Sequence, residues 1–111
     1  MGTLAYLEPF ELQALNDLKQ SLNQDVQLVD LRLYGSKSRG TADADSDIDV
    51  MIELEELTPP FYDKVFDLVF DVNLRHGVFI SAVIFGRKEL EEGPMSASPL
   101  FKAIERDGVC L

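Results

Sequence analysis

Residues 34–50 read YGSKSRGTADADSDIDV and combine two features that bind charged ligands in different ways. Gly35 and Ser36 follow an apolar run; a glycine lets an anion approach the backbone, and the serine hydroxyl can contact it. Asp47 and Asp49 are two residues apart on a predicted strand, so both carboxylates leave the same face. Two carboxylates this close repel each other unless a cation lies between them. The pattern therefore predicts a divalent metal site beside a phosphate-binding turn.

Helices and strands alternate in the structure predicted around this motif. Leucines at positions 12, 15, 18 and 22 have helical spacing, which predicts a first helix within residues 8–24. Two-residue alternation and β-branched content predict strands at residues 26–34, 48–55 and 78–85. Two prolines and Gly77 mark the ends of a helix at residues 59–76, and Ser98 with Pro99 begins a last helix that ends near residue 107. The remaining stretches, residues 36–46 and 89–92, are expected to be a loop or single tight turn and an acidic connection.

Apolar residues cover about half the circumference of the helix predicted at residues 59–76, which is wider than the ~100° stripe that one packing face requires. Tyr62, Phe66 and Phe70 belong to this surface. We expect these aromatic side chains to lie in the core. The alternative is an interface with another chain, including a second copy of this one.

The composition is that of a globular protein and limits the classes of partner. The chain has 111 residues, 46% of them hydrophobic and 27% charged, and this length predicts a single domain over residues 1–111. Its formal net charge of -10 at pH 7 disfavours a nucleic-acid partner and favours either a basic protein partner or simply solubility. No apolar run approaches the length of a membrane span, and the first residues carry no targeting pattern. We therefore expect a cytoplasmic protein that is not attached to a membrane.

The Gly35-Ser36 pair, separated by ten residues from Asp47-Ile48-Asp49, resembles the signature of the DNA polymerase β-like nucleotidyltransferase superfamily. Within it, the GSKSRG opening, the DSDIDV second element and the short length are similar to the minimal nucleotidyltransferases, or MNT domains. The resemblance implies an α/β (α+β) fold, in which a small mixed sheet of three to four strands packs with helices and carries the acids. It also implies that ATP or another nucleoside triphosphate binds together with Mg²⁺.

The same resemblance implies roles for individual residues and a kind of partner. Gly35 and Ser36 would hold the β- and γ-phosphates, and Asp47 and Asp49 would be the catalytic, metal-binding carboxylates. Arg39 would pair with the triphosphate, because a planar guanidinium suits phosphate oxygens. Many minimal members are encoded beside a HEPN-domain protein and act as the antitoxin of a toxin–antitoxin pair. The implied reaction is therefore transfer of a nucleotidyl group, AMP, to a partner protein such as a HEPN toxin.

One position departs from the family pattern. The third catalytic carboxylate of the family lies on a later strand, where it helps to hold the catalytic metal and activates the attacking hydroxyl. The matching run at residues 78–85 contains no acid, and Ser81 is its only polar side chain. A two-metal site would then be incomplete. The alternative function is a catalytically degenerate binding module, an antitoxin that neutralises its partner by forming a complex.

Alternating acids upstream of the second strand also suggest two simpler interpretations, a solvated acidic loop and a calcium-binding EF-hand. An EF-hand loop starting at Asp43 would put Ile48 where the sharp turn requires glycine, and one starting at Asp45 would put Val50 there. The calcium interpretation therefore fails. A solvated loop accounts for Asp43 and Asp45, but not for a Gly-Ser turn at the family's distance from the other two acids.

Overall fold

The computed structural model describes residues 2–43, 45–93 and 98–111, apart from the side chain of residue 92. In chain order, the described residues form α1 (Pro9–Asp25), β1 (Leu28–Tyr34), α2 (Ser36–Arg39), β2 (Ile48–Leu54), α3 (Pro59–His76), β3 (Ile80–Gly86), α4 (Arg87–Glu92), α5 (Pro99–Asp107) and β4 (Val109–Cys110). In this part of the chain, the helices are too short or too polar to cross a lipid bilayer.

The four strands form one mixed sheet in the order β3-β2-β1-β4. β1 runs antiparallel to both β2 and β4, whereas β2 and β3 are parallel. Parallel neighbours need a long crossover, and α3 provides it between β2 and β3. The mixed sheet of three to four strands predicted from the sequence is confirmed, and so is the α/β class.

α1 and α3 pack side by side on one face of the sheet and cover the main core. α1 begins with a capping box between Glu8 and Glu11, and α3 ends at Gly77, whose φ of 65° closes the helix. Inward side chains of β2 alternate as the sequence predicts. The largest fully buried side chains on this face are Leu15, Leu18, Leu22, Leu33, Ile48, Ile52 and Leu54.

The opposite face of the sheet has a second, smaller core beneath α5. Met51, Phe85 and Ile104 are buried together there. The rings of Phe85 and Phe101 meet edge to face, with centroids 5.9 Å apart. This cover reaches Met51 but not the start of β2, so Asp49 is half-buried there and Asp47, just before the strand, is exposed.

The aromatic residues of α3 do not lie in the core, so that expectation was wrong. Tyr62 and Phe66 are each 43% exposed and Phe70 is 66% exposed. α1 and the sheet contact the opposite side of α3, where Val65, Val69 and Val72 are buried. A helical stripe wider than one packing face leaves some apolar surface outside the core.

Smaller differences concern element ends. β1 begins at Leu28 and β3 at Ile80, each two residues later than predicted. The acidic residues predicted as a connection belong to the helix α4, and the two-residue strand β4 had no sequence signal. The last helix starts as predicted, because the Ser98 side chain accepts a hydrogen bond of 3.0 Å from the Phe101 N–H.

Candidate active site

The β1–β2 ladder brings the glycine turn directly against one of the two acids. Tyr34, the last residue of β1, is in register with Asp49 on β2, so Gly35 follows beside that carboxylate. Gly35 has a φ of 77°, a left-handed conformation that other residues rarely adopt. A Cβ at this position would overlap Asp49 Oδ2 and lie 3.2 Å from Asp49 Cγ. Only glycine lets the turn and the carboxylate approach this closely.

The turn after Gly35 is a single helical turn, α2, followed by an irregular segment that leads into β2. The Ser38 hydroxyl donates a hydrogen bond of 2.6 Å to the Gly35 carbonyl, and the Ser38 N–H donates to the same oxygen at 3.1 Å. The Thr41 N–H donates to the Ser36 carbonyl at 3.1 Å. The Ser38 hydroxyl is therefore occupied by a hydrogen bond within the turn. No described side chain hydrogen-bonds the half-buried Ser36 hydroxyl.

A buried ion pair holds this turn on α1, and it was not predicted. Lys37 Nζ lies 2.8 Å from Glu11 Oε2, with the two side chains only 10% and 7% exposed. Glu11 also accepts a hydrogen bond of 2.9 Å from the Glu8 N–H at the start of α1. Lysine side chains are rarely buried unless they are paired, so the burial of Lys37 depends on this partner. Glu11 lies far away along the chain and gave no local signal of the pairing.

Asp47 and Asp49 are electrostatically coupled at the start of β2. Partial burial raises the pKa of Asp49, the charge of Asp47 raises it further, and Arg39 offsets part of the rise. Burial and the charge of Asp49 also raise the pKa of the neighbouring Tyr34. The local potential is therefore negative, and the nearby Arg39 does not neutralise it.

Arg39 lies at the edge of this site with its guanidinium shared between two acidic regions. Its Nη1 is 3.6 Å from Asp107 Oδ2 at the end of α5, and its side chain is 46% exposed. Asp107 also pairs with Arg106 at 3.1 Å, and this hydrogen bond lowers the pKa of Asp107. Because Asp107 already has Arg106, Arg39 can leave it at little cost.

Ser81 is the only polar side chain of β3, the strand in which the sequence has no third acid. It is in register with Asp49 across the parallel β2–β3 pair, and its side chain is exposed. Within residues 2–43, 45–93 and 98–111, no three or more His, Cys, Asp or Glu side chains are grouped as metal ligands. Glu53 points toward the other end of the sheet, where it is in register with Asp30. The site therefore has two carboxylates, from Asp47 and Asp49.

The donors at this site fit a magnesium ion bound with a nucleotide. Mg²⁺ usually takes one or two protein carboxylates and completes its octahedral shell with water and substrate phosphates. Asp49 is half-buried and its carboxylate is repelled by that of Asp47, so a cation bound between them would reduce this repulsion. The Gly35 backbone approaches this carboxylate more closely than a residue with a Cβ could, so a phosphate held at the turn would lie near it.

The model of the nucleotidyltransferase domain family matches residues 15–101 of the chain. The chain belongs to this family. The match includes the Gly35 turn and both strand acids, so the resemblance inferred from those residues is confirmed. A comparison with curated proteins finds no match.

Solved structures resemble this chain to different extents. One, described as a candidate minimal nucleotidyltransferase, is 23% identical, has a TM-score of 0.64 and aligns over 96% of this chain and 99% of its own. This likeness shows a common fold of nearly equal length. A candidate nucleotidyltransferase from Sulfolobus solfataricus is 13% identical and covers 97% of this chain and 90% of its own, but its TM-score of 0.43 is too low to support a conclusion.

Proposed function

We propose that this nucleotidyltransferase domain binds a nucleoside triphosphate, ATP first among them, together with Mg²⁺, and transfers the nucleotidyl group to a hydroxyl of a partner protein. The main support is the close approach of the Gly35 backbone to the Asp49 carboxylate. A phosphate-binding turn and a metal-binding acid must be adjacent if one cation is to bridge protein and polyphosphate. Ser36 begins the turn on the same side, and Asp47 lies two residues from Asp49.

The chain's own residues divide the binding work among them. Ser36 and the Gly35 backbone contact the β- and γ-phosphates, and Arg39 turns from Asp107 to pair with phosphate oxygens. Asp47 and Asp49 would hold Mg²⁺, which when bound neutralises charge that develops on the phosphates during transfer. Without a cation, the two carboxylates would repel the triphosphate.

Transfer joins the acceptor oxygen to the α-phosphorus, breaks the bond from that phosphorus to the α,β-bridging oxygen, and releases pyrophosphate. The hydroxyl proton must pass to a base as the new bond forms. Ser81, opposite Asp49, is neutral and cannot take that role. In this proposal, water or a carboxylate of the acceptor takes the proton, and transfer is slow compared with that in family members that have the third acid.

The partner is proposed to be a HEPN-type protein, and AMP the transferred group. The net charge of -10 supports a basic protein surface over a nucleic acid.

The alternative, a degenerate antitoxin that acts by binding alone, is favoured by one observation. Ser81 stands beside Asp49 where an acid would complete the set. Such a module would bind ATP and Mg²⁺ through the same residues and neutralise its partner by complex formation without transfer.

A labelling experiment separates the two functions. The protein is incubated with Mg²⁺, the HEPN-type protein encoded by the adjacent gene, and ATP labelled either at the α- or at the γ-phosphorus. Transfer predicts label on the partner from α-labelled ATP only, lost in Asp47→Asn and kept in the control Glu53→Gln, an acid at the other end of β2. A stable unlabelled complex would support the antitoxin instead. Failure to bind any of the four common triphosphates with Mg²⁺ would contradict both functions.

A substitution that restores an acid tests the reason for slow transfer. Ser81→Asp places a carboxylate in register with Asp49, where it can act as a base. We expect faster labelling of the partner, with ATP binding changed little. Unchanged labelling would show that the missing acid does not limit the reaction.

A further inference from the structure

β3 is an edge strand of the sheet, and half of its backbone groups point away from β2. The Ile48 N–H donates to the Phe79 carbonyl at 2.8 Å, which sets the phase of the parallel pairing. Residues 79, 81, 83 and 85 therefore face β2 with their backbone groups. Ile80, Ala82 and Ile84 present their N–H and C=O groups to the open edge, which is the arrangement that accepts another strand.

Asn73 of α3 already imitates a neighbouring strand at the first of these positions. Its Oδ1 accepts a hydrogen bond of 2.8 Å from the Ile80 N–H, and its Nδ2 donates to the Ile80 carbonyl at 3.2 Å. No other described side chain covers Ala82 or Ile84 in this way. One pair of edge groups is therefore satisfied, and no hydrogen bond among the described residues reaches the backbone groups of Ala82 and Ile84 on this edge.

Apolar side chains from both faces of the sheet line a groove along this open edge. Tyr62 and Phe66 rise from α3 on one side and Leu100 from α5 on the other, and each is 43% exposed. They enclose about 290 Å³ beside residues 82–85. A second groove of about 380 Å³ continues past Phe66 to Asp47 and Ser81. An extended chain at the edge would place its alternate side chains against these two walls.

The negative charge beside the groove favours a basic occupant. Asp63, Asp67 and Asp71 each follow one of the exposed aromatic residues of α3, so an acidic row runs beside the aromatic one. Among the described residues, no ion pair joins Asp63 or Asp67 to a base. Asp47 adds another acid at the far end. A second copy of this chain, with the same acids and a net charge of -10, would be repelled, whereas Lys and Arg would be attracted.

We propose that the β3 edge binds an extended segment of a partner protein, apolar at its centre and rich in Lys or Arg at its ends, which adds to the sheet as a further strand. Backbone hydrogen bonds to Ala82 and Ile84 give affinity, and the aromatic and acidic rows give selectivity. Because the groove leads to Asp47 and Ser81, the segment belongs to the acceptor, and this role rests on the proposed function.

Fluorescence anisotropy with synthetic peptides tests the docking surface without nucleotide. The probe is a labelled nonapeptide in which three valines alternate with two threonines between pairs of lysines. Phe66→Ser and Leu100→Ser, one on each wall, should each weaken binding by about tenfold, as expected for truncating a buried anchor. The control Leu74→Ser removes an equally large apolar residue of α3, 69% exposed, that does not line the groove, and should leave binding unchanged.

Two altered peptides test the mode of binding. Glutamate in place of lysine should abolish binding, and so should N-methylation of alternate backbone amides, which removes the donors that pair with the edge. Binding that tolerates either change, or that survives both wall substitutions, would overturn the proposal. Sedimentation showing a dimer that Phe66→Ser disrupts would also overturn it, in favour of a second copy on the edge.

Failure of the docking surface and failure of the proposed function give different results. Asp49→Asn should lose binding of ATP with Mg²⁺ but keep the peptide, since Asp49 does not line the groove. A wild-type protein that binds the peptide and no triphosphate would leave the docking surface intact and contradict the transfer function. A wild-type protein that binds a triphosphate and no peptide would contradict the docking surface and leave the transfer function intact.

Discussion

Two pairs of carboxylates lie at opposite ends of β2, and the fold treats them differently. At one end, Asp30 and Glu53 are in register across β1 and β2, where burial and Asp30 raise the pKa of Glu53. Arginines of the chain offset part of this negative charge: Arg32 Nε lies 2.6 Å from Asp30 Oδ2, and both Arg87 and Arg32 lower the pKa of Glu53. We call Asp30 and Glu53 the balanced pair, because two arginines of the same chain oppose their charge.

At the other end, Asp47 and Asp49 have the single neighbouring cation Arg39, whose described ion pair is with Asp107. Gly35 takes a left-handed conformation to approach the same carboxylate. Burial and like charge act on both pairs, but two guanidinium groups lower the pKa of Glu53 and only one lowers that of Asp49. The unbalanced pair is where a cation from solution would stabilise the protein most, and this difference marks the functional end of the strand.

The largest effect is expected from closing the space between the glycine turn and the acid. Gly35→Ala adds a backbone penalty of about 1–3 kcal/mol, because φ 77° with ψ −163° is a region that almost only glycine adopts, and an overpacking cost of about 1–3 kcal/mol against Asp49. The control is Gly77→Ala, where φ is 65°, ψ is 37° and no atom lies within 4 Å of the new Cβ, so only a left-handed penalty of about 1–2 kcal/mol applies. Urea unfolding should show the larger loss for Gly35→Ala, and calorimetry should show that only this variant loses ATP binding. Equal losses in stability would contradict the close approach to Asp49.

Next, binding of ATP with Mg²⁺ should depend on one pair of acids and not on the other. Asp47→Asn should weaken binding by on the order of 100-fold, since even residues that only support metal ligands contribute about 10–100-fold. Glu53→Gln, which alters the balanced pair, should leave binding within about twofold, a change of roughly 0.4 kcal/mol. Isothermal titration of both variants measures the contrast. Equal weakening would mean that the two ends are not functionally distinct.

A smaller effect concerns the pH dependence of stability. The pKa of Asp49 is raised in the folded protein, so the folded state holds this proton more tightly and ionised Asp49 opposes folding. Wild-type stability should therefore fall as pH rises from about 3.9, the unfolded value, through the folded pKa. Asp49→Asn should melt at a higher temperature than the wild type at pH 7, and the advantage should vanish below about pH 3.9. Mg²⁺ added to the wild type at pH 7 should reduce this difference in melting temperature. If Asp49→Asn instead melted at a lower temperature than the wild type at pH 7, this account would be contradicted.

Local signals were sufficient for the parts of the molecule that depend on near neighbours. The two prolines and Gly77 predicted both ends of α3, and Ser98 predicted the start of α5, because caps and breakers act within one turn. The motif also predicted that the glycine turn and the acids lie close together, and the β1–β2 register does place Gly35 beside Asp49.

Features that depend on distant segments could not be predicted in the same way. Lys37 is buried because Glu11 of α1 meets it, and no local pattern indicates that contact. The aromatic row of α3 has the spacing of a core stripe, but the sheet ends at β3 and does not cover it. Hydrophobicity alone therefore predicted burial of side chains that are exposed. Arg87 was not predicted to affect Glu53 either. It begins the unpredicted helix α4, where it pairs with Glu55 and Glu91 and where its charge lowers the pKa of Glu53.

Removing an arginine from beside Asp30 and Glu53 should make this pair of acids resemble Asp47 and Asp49. The expected change in stability is the smallest of the four predictions. Arg32→Gln leaves Asp30 without its 2.6 Å partner and should cost about 1 kcal/mol or less, as for other partly exposed ion pairs. Because Arg32 lowers the pKa of Glu53, its loss should raise that pKa further, and stability should then fall more steeply as pH rises above the usual range of a glutamate. Arg32→Lys keeps the charge and should preserve the wild-type slope, as measured by melting temperature against pH. If Arg32→Gln left the slope unchanged, the arginine would not be balancing these acids, and the contrast between the two ends of β2 would have to rest on burial alone.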